Sequence, residues 1–266
     1  MHDLKDILRL RPWTRHLRVR VLGGPNKGLV WSAASSGRFL RGRFETPRIE
    51  CLLSLMRPGD VFWDLGAHQG YVTMAAARRV LPGGRVYSFE PNPKNQWYLR
   101  HHVAWNRMGH VAVHGVAIGE RDGEAAFATR GTARGHLGNR GGFTVPVRSV
   151  DSLVASGECL PPALMKADIE GAEIDMLRGA EKTLRGAAVV LVLSVHSSDL
   201  KRRAIAILED YGYQVHEPHL AMPEGDWDGL PNPDPDILAV GPGRTVSAES
   251  IELFRKSAGG RASMKR

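Results

Sequence analysis

The segment from Val61 to Glu90 constrains the fold of this chain more than any other part of the sequence. It begins with a short apolar run, Val61–Leu65, continues through a turn with two glycines into an alanine-rich stretch, and ends in a second apolar run that closes on Glu90. A strand, a glycine turn, a helix and a second strand form one unit of an open parallel sheet, in which ligands bind at the carboxyl ends of the strands. The segment therefore predicts an α/β fold with a ligand site at the turn.

The turn, residues 64–70, reads D-x-G-x-x-x-G. Gly66 allows the backbone to approach a ligand closely, and Gly70 opens the helix, whose free N–H groups attract an anion. Glu90 lies 20 residues beyond Gly70, where an acid can accept hydrogen bonds from ribose hydroxyls. The spacing therefore predicts a cofactor that contains adenosine.

Asp64 favours S-adenosylmethionine over a nicotinamide dinucleotide. The turn lacks the G-x-G-x-x-G fingerprint of dinucleotide sites. The carboxylate of Asp64 would repel a pyrophosphate, whereas it can pair with the ammonium group of S-adenosylmethionine, directly or through water. The alternative is a glycine turn that serves only to pack the strand against the helix.

Beyond Glu90, strand and helix patterns continue to alternate, which predicts a doubly wound, mostly parallel sheet with helices on both faces. Two stretches interrupt the alternation, the glycine-rich residues 130–142 and the acidic, proline-rich residues 222–236, and both are predicted as loops. The predicted helices cover residues 47–56, 93–107, 172–185 and 198–211, and the predicted strands cover residues 110–118, 163–168, 188–195 and 236–241.

The front of the chain has a different pattern. Residues 17–22 alternate as a half-buried strand does, and the turn at residues 23–28 predicts a β-hairpin. We therefore divide the chain into a small basic N-terminal extension, residues 1–45, a main domain, residues 46–243, and a C-terminal helix with a basic tail, residues 244–266.

Charge and cysteine content narrow the class of protein. The net charge is +8, and residues 1–50 hold 11 lysines and arginines against 4 acids. Such an excess suits nucleic acid or an anionic membrane, but no basic strand rich in aromatic residues accompanies it, so we interpret it as a solvated surface.

No apolar run is long enough to span a membrane, and the N-terminus does not resemble a secretory signal. The two cysteines, Cys51 and Cys159, are expected to be buried free thiols in a reducing compartment. We expect a cytoplasmic protein.

Five blocks of sequence together resemble the FkbM family of methyltransferases, from about Thr46 to His196. The resemblance implies a class I (Rossmann-like) methyltransferase fold and S-adenosylmethionine as the methyl donor. It also implies transfer to an oxygen, often a hydroxyl of a sugar or a secondary metabolite, so a small-molecule acceptor is expected. The blocks are RPGDVFWDLGAHQGYVTMAAAR, RVYSFEPNPKN, VAIGERDGEAAF, VPVRSVDSLV and LMKADIEGAEIDMLRGAEKTL.

Carried over residue by residue, the resemblance implies a set of cofactor-binding positions at the turn, at the end of the second strand and at the end of the third. Its D-x-E-G-x-E signature falls on Asp168, Glu170, Gly171 and Glu173. Many members of the family carry a glutamate where Ser194 stands here. The implied cofactor-binding residues are Asp64, Gly66, Ala67, Gly70, Glu90, Pro91, Asn92, Ala117 and Ile118.

We hypothesise that Asp168, Glu170 and His196 surround the acceptor, with His196 or Asp168 as the base. Lys166 shares a strand face with Asp168 and could pair with a carboxylate. Glu170 and Glu173 could instead charge the start of the next helix, and His196 could be a satisfied strand-end histidine. A divalent metal held by Asp168, Glu170 and His196 is possible but not favoured, since no H-x-x-x-H spacing supports it.

Other residues receive structural interpretations. His101 and His102 are expected on a solvated helix surface, and Asp151 is expected to cap a helix at Ser152.

Three other functions compete with a metabolite methyltransferase. A nucleic-acid methyltransferase would be expected to carry an N/D-P-P-Y/F motif, where this sequence reads ADIEGAE. A nicotinamide-dependent oxidoreductase lacks its glycine fingerprint and a Y-x-x-x-K pair. A non-catalytic cofactor-binding protein stays open, as do the identity of the acceptor and the oligomeric state.

Overall fold

A computed structural model describes residues 12–130, 134–137, 143–218 and 236–257 of the chain. A 3-10 helix, Pro12–His16, precedes the first strand. The strands are β1 (Arg18–Arg20), β2 (Val30–Ser32), β3 (Val61–Leu65), β4 (Arg85–Phe89), β5 (Val111–His114), β6 (Ala117–Ile118), β7 (Gly123–Arg130), β8 (Arg134–Leu137), β9 (Phe143–Arg148), β10 (Leu164–Ala167), β11 (Val190–Ser194), β12 (Gln214–His216) and β13 (Asp236–Val240). The helices are α1 (Gly37–Leu40), α2 (Thr46–Ser54), α3 (Tyr71–Arg79), α4 (Pro93–Trp105), α5 (Val150–Ala155), α6 (Glu173–Arg178), α7 (Glu181–Gly186), α8 (Ser198–Asp210) and α9 (Ala248–Ser257).

The central element is a seven-stranded sheet with the order β12-β13-β11-β10-β3-β4-β5. The strands from β5 to β11 run parallel, and β13 runs antiparallel to both of its neighbours. From β3 the chain first builds outward through β4 and β5, and later places β10 on the other side of β3. The strand order therefore reverses between β3 and β10, and a crevice at the carboxyl ends of these strands is the expected ligand site.

Both faces of the sheet are buried. On β3, Trp63 and Leu65 contribute to one hydrophobic core, while Phe62 contributes to another on the opposite face. The first core also contains residues of α5–α8, and the second contains residues of α2, α3 and α9. This arrangement confirms the predicted doubly wound α/β fold with helices on both faces. In the described part of the chain, no helix is long and apolar enough to cross a membrane.

The N-terminal segment is packed into the second core. Strands β1 and β2 pair antiparallel, with Arg18 opposite Ser32. Val21, Trp31 and Phe39 are all nearly inaccessible to solvent and belong to the same core as Phe62. Residues of the predicted extension thus pack in the core on one face of the main sheet. The predicted domain limits stay a prediction.

A second sheet, of four strands in the order β6-β9-β7-β8, was not predicted. The prediction of one strand over residues 110–118 is wrong, because β5 ends at His114 and β6 pairs with β9 instead. The loop prediction for residues 130–142 is wrong at residues 134–137, which form β8 against β7. Residues 131–133 and 138–142 lie outside the described residues. The pairing of β6 with β9 joins segments about 30 residues apart, which local patterns do not report. The glycines around β8 indicated a loop rather than a strand.

The predicted helix over residues 172–185 is divided into α6 and α7. A side chain at Gly179 would place its Cβ 2.2 Å from the carbonyl oxygen of Gly119, so the break lets two backbones approach each other. The prediction that Asp151 caps α5 is wrong, because the N-cap of this helix is Ser149. The Asp151 carboxylate instead accepts hydrogen bonds from the backbone N–H groups at the start of α7. Most of the predicted loop over 222–236 lies outside the described residues, and its last residue begins β13.

The prediction of a solvated surface for His102 is wrong. Its side chain is fully buried on α4 and stacks on Trp31, with ring centroids 3.8 Å apart. Nε2 accepts a hydrogen bond from the N–H of Ser32 at 3.1 Å, and Nδ1 lies 2.9 Å from the carbonyl oxygen of Gln69, to which it donates. Burial lowers the pKa of His102 to about 3. A neutral histidine therefore links the N-terminal segment to the glycine turn.

This histidine should make the fold sensitive to acid. Since burial holds the pKa of His102 near 3 and the unfolded value is about 6.5, the unfolded chain binds one more proton between these pH values. The stability from the neutral imidazole is complete above pH ~6.5 and is lost as pH falls toward about 3, by about 1.4 kcal/mol per pH unit. We expect urea unfolding of His102→Gln to show a shallower loss of stability over this range than the wild type. Equal slopes for the wild type and His102→Gln would contradict this account.

Candidate active site

A cavity of about 700 Å³ opens where the strand order reverses, at the carboxyl ends of β3, β4 and β10. Its volume is in the range of small-molecule sites. Three of the predicted site residues, Asp64, Gly70 and His196, do not line it. The others all do: Gly66, Ala67, Glu90, Pro91, Asn92, Ala117, Ile118, Asp168 and Glu170.

The glycine turn is fixed by close contacts between backbones. Gly66 has φ +78°, and a Cβ at this position would lie 2.0 Å from the carbonyl oxygen of Asp168. The N–H groups of Gly66 and Ala67 both donate to the carbonyl oxygen of Phe89, at 3.0 Å. Gly70 has φ +88°, and a Cβ there would lie 2.4 Å from Cδ1 of Leu99. Gly66 is therefore favoured by its backbone conformation and required by the backbone beside it, whereas Gly70 is favoured by its positive φ and meets only the end of the Leu99 side chain.

The Glu90 carboxylate is held at the end of β4. One oxygen accepts a hydrogen bond from the N–H of His68 at 2.7 Å, and the other accepts one from the N–H of Asn92 at 2.9 Å. Burial raises the pKa of Glu90, while these backbone donors favour the charged form. The side chain of Asn95 supplies a third hydrogen bond. A carboxylate has about four acceptor sites, so Glu90 can also receive a hydroxyl group of a ligand in the cavity.

Asp64 is the fourth residue of β3 and does not line the cavity, so its expected pairing with the ammonium group of the cofactor, directly or through water, stays a prediction. Its side chain is fully buried, and the Thr73 hydroxyl donates to Oδ2 at 2.6 Å. Nζ of Lys166 lies 3.3 Å from Oδ1 and also donates to the carbonyl oxygen of Gly66 at 3.1 Å. The predicted pairing of Lys166 with a carboxylate is thus made with Asp64. Asp64 can affect a ligand through Lys166, which lines the cavity.

Asp168 and His196 are brought together, because they follow the neighbouring parallel strands β10 and β11. Nε2 of His196 lies 3.5 Å from Oδ1 of Asp168 and 3.4 Å from Oε1 of Glu173. Glu173 is fully buried and accepts a hydrogen bond from the N–H of Gly171 at 3.0 Å, and burial raises its pKa. Asp168 is partly exposed to the cavity, whereas His196 lies behind it.

Glu170 lines the same cavity but adopts an unusual backbone conformation. Its φ is +52°, in the left-handed region that non-glycine residues adopt infrequently. It follows Asp168 by two residues and precedes α6, so it sits in the loop between the acid cluster and that helix.

Sequence reasoning missed Arg48, which α2 places at the wall of the cavity. Burial alone would favour the neutral acid at Asp168, but Lys166, His196 and Arg48 together hold the pKa of this carboxyl group well below its usual range. Asp168 is therefore an anion at neutral pH. Arg48 stands among many arginines in the first 50 residues, and no spacing in the sequence distinguishes it from them.

Within the described ranges, no group of three or more His, Cys, Asp or Glu side chains has the arrangement of a metal site. Two features of the cavity fit a cofactor that contains adenosine. Its turn excludes any side chain at Gly66, and Glu90 offers carboxylate oxygens at the end of the next strand.

The sequence model of the methyltransferase FkbM domain matches residues 64–215, more than half of the chain. The protein therefore belongs to the FkbM methyltransferase family and is an S-adenosylmethionine-dependent methyltransferase with a class I fold. Arg48 lies outside the matched residues.

Among curated proteins, the chain is similar to the hexuronic acid methyltransferase AglP of Haloferax volcanii, with 28% identity over 205 residues that cover 72% of this chain and 83% of the relative. Among solved structures, it is similar to the methyltransferase FkbM of Methylobacillus flagellatus, with a TM-score of 0.47 and 21% identity over 68% of this chain and 43% of that chain. A precorrin-6y C5,15-methyltransferase of Geobacter metallireducens gives a TM-score of 0.47 and 18% identity over 78% of this chain and 91% of that chain. The match thus spans less than half of the Methylobacillus chain.

The contact at Gly66 can be tested against a second glycine with the same backbone conformation. Gly59 has φ +89°, but a Cβ there would meet nothing within 4 Å. We expect Gly59→Ala to cost about 1–2 kcal/mol of stability, because it only strains the backbone, and to leave S-adenosylmethionine binding unchanged. Gly66→Ala should also displace the backbone of Asp168 and weaken binding of the cofactor at least ~10-fold by calorimetry. Equal cofactor affinities for the two variants would contradict the close-contact argument.

Proposed function

We propose that this enzyme methylates a hydroxyl group of a sugar or a sugar-like secondary metabolite. The observation that carries the proposal is Asp168, an anionic carboxylate that lines the cavity at the carboxyl end of β10. The similarity to AglP supports a sugar acceptor, since that relative is named for a hexuronic acid.

The cofactor end of the cavity is assigned to the glycine turn and the ends of β4 and β6. In this proposal Glu90 accepts hydrogen bonds from the ribose hydroxyls, and Ala117 and Ile118 line the adenine. The backbone of Gly66 and Ala67 and the start of α3 accommodate the methionine portion, with Asp64 acting through Lys166. When bound, S-adenosylmethionine supplies an activated methyl group for in-line displacement, in which proximity and alignment provide much of the rate.

Between the two predicted bases, the geometry favours Asp168. It lines the cavity, whereas His196 contacts the far side of its carboxylate through Nε2. A carboxylate with a low pKa is a weak base, but a hydroxyl becomes strongly acidic as its oxygen gains the methyl group, so a weak base in hydrogen-bond contact suffices. His196 then orients Asp168, and Glu173 in turn orients His196.

Glu170 is assigned to the acceptor side, where it can accept a hydrogen bond from a second hydroxyl of a sugar. A divalent metal held by Asp168, Glu170 and His196 is the less favoured alternative. Nε2 of His196 already faces two carboxylates, and one of them, that of Glu173, is buried behind the cavity wall.

The proposal can be tested with 4-nitrophenyl glycosides of glucuronic acid, galacturonic acid, glucose and galactose, measuring S-adenosylhomocysteine formation. We expect methyl transfer to at least one sugar, with the methylated oxygen identified by NMR. Asp168→Asn should lower kcat by about 10²- to 10⁴-fold, because it removes the base, while the Kd for S-adenosylmethionine changes less than ~2-fold. His196→Asn should lower kcat less, since it acts through Asp168.

Two results would contradict the proposal. If the wild type binds S-adenosylmethionine but methylates none of these sugars, the acceptor class is wrong. If His196→Asn loses more activity than Asp168→Asn, the assignment of the base is wrong.

A further inference from the structure

Arg48 belongs to a buried cluster that joins three neighbouring strands to helix α2. Its side chain is only 14% exposed, yet it lines the cavity. Both Arg48 and its main partner, Asp236, lie outside residues 64–215, the part of the chain that matches the family. The flanking segments therefore supply the Arg48–Asp236 pair, and Arg48 reaches the cavity.

One edge of the Arg48 guanidinium is anchored. Nε lies 2.5 Å from Oδ2 of Asp236, and one terminal nitrogen lies 2.6 Å from Oδ1, so the pair is bidentate. The same terminal nitrogen contacts the hydroxyl of Ser194, which in turn lies 3.0 Å from Oδ1 of Asp236. Since Ser194 ends β11 and Asp236 begins the antiparallel strand β13, the anchor stands directly beside the end of β10. A bidentate pair of this kind fixes the orientation of the guanidinium plane.

The other edge of the guanidinium faces the acids of the cavity. Its second terminal nitrogen lies 3.0 Å from Oε2 of Glu45 and 3.9 Å from Oδ2 of Asp168. Oδ1 of Asp168 faces His196 instead. Each oxygen of the Asp168 carboxylate therefore has its own partner, from a different element of the fold.

The other basic groups near Asp168, Lys166 and His196, also favour its charged form, and each contacts a further group as well. Lys166, on β10, contacts Asp64 and the carbonyl oxygen of Gly66. His196, which follows β11, is shared with Glu173 of α6. Arg48 thus supplies positive charge to the Asp168 oxygen that His196 does not contact.

We propose that Arg48 is a positioning residue for Asp168: the anchor at Asp236 and Ser194 aims its guanidinium so that it holds the Asp168 carboxylate in place at the acceptor end of the cavity. This inference rests on the proposed function, in which Asp168 contacts the acceptor hydroxyl. If Arg48 only linked α2 to β13, the guanidinium edge that contacts Asp236 would be sufficient, and the edge that faces Asp168 would not be needed.

The test is a double-mutant cycle between the cluster and Asp168. The double variant Arg48→Met/Asp236→Asn removes both charges of the anchored pair together, so neither member of that pair is left as a buried unpaired charge. It also removes the contact of Arg48 with Glu45, whose side chain is 28% exposed. It is measured in the wild-type background and in the Asp168→Asn background, with the best sugar of the glycoside panel as acceptor. We expect kcat to fall about 10- to 100-fold in the wild-type background and to change less than ~2-fold when Asp168 is already replaced, because Arg48 acts through that residue.

A matched control exists elsewhere in the fold. Arg244 and Asp60 form an ion pair of 2.8 Å with side-chain exposures of 14% and 10%, close to the 14% and 6% of Arg48 and Asp236, and neither lines the cavity. Arg244→Met/Asp60→Asn should lower Tm to a similar degree without changing kcat. The Kd for S-adenosylmethionine should stay within ~2-fold of the wild-type value for both double variants.

Three results separate the possible outcomes. Equal losses of kcat in both backgrounds would show a structural tether and overturn the proposal, as would no loss in the wild-type background. If the wild-type enzyme methylates no sugar of the panel, the proposed function itself fails, and the inference about Arg48 fails with it.

Discussion

The approach of the Gly66 backbone to the carbonyl oxygen of Asp168 is the constraint on which the rest of the site depends. The two residues follow adjacent parallel strands, β3 and β10, and a side chain at Gly66 would occupy the position of that oxygen. The contact between Gly66 and Asp168 therefore places the turn that is assigned to the cofactor next to the carboxylate that is assigned to the acceptor. The N–H groups of Gly66 and Ala67 also donate hydrogen bonds to Phe89 at the end of β4. The carboxyl ends of β3, β4 and β10 are therefore fixed relative to one another.

Charged groups beneath and beside this contact complete the arrangement. Lys166 joins the buried Asp64 to the carbonyl of Gly66, and Arg48 joins Asp236 to the acids of the cavity. Each cation is shared between a buried carboxylate and a group at the cavity, which gives the site a defined geometry without unpaired buried charge. The N-terminal segment is connected to the turn by a neutral side chain. His102 of α4 accepts a hydrogen bond from Ser32 and donates one to Gln69 of the turn.

The sequence was most informative where structure is determined locally. The apolar run Val61–Leu65 is β3 with the same limits, and α3 begins immediately after Gly70, because strand periodicity and glycine turns act over a few residues. The second sheet was missed because β6 pairs with β9, about 30 residues away along the chain, and local patterns do not report such pairing. His102 was assigned to the surface because nothing in the sequence of α4 indicates that Trp31 covers it.

The same distinction applies to the site. Of the predicted cofactor-binding and catalytic residues, all line one cavity except Asp64, Gly70 and His196. Arg48 and Asp236 stand 188 residues apart in the chain and meet only through the fold, so no spacing rule could have paired them. The contacts of the buried Asp64 with Thr73 and Lys166 could not be predicted either, because the turn motif does not specify these two side chains.

The most direct test of the account is calorimetric titration of the full chain with S-adenosylmethionine and, separately, with NAD. The account predicts that S-adenosylmethionine binds, that NAD does not, and that Glu90→Gln weakens S-adenosylmethionine binding about 10-fold, because a hydrogen bond to a charged group is lost. Binding of NAD without binding of S-adenosylmethionine would contradict the central claim, and an unchanged affinity in Glu90→Gln would contradict the placement of the ribose at the end of β4.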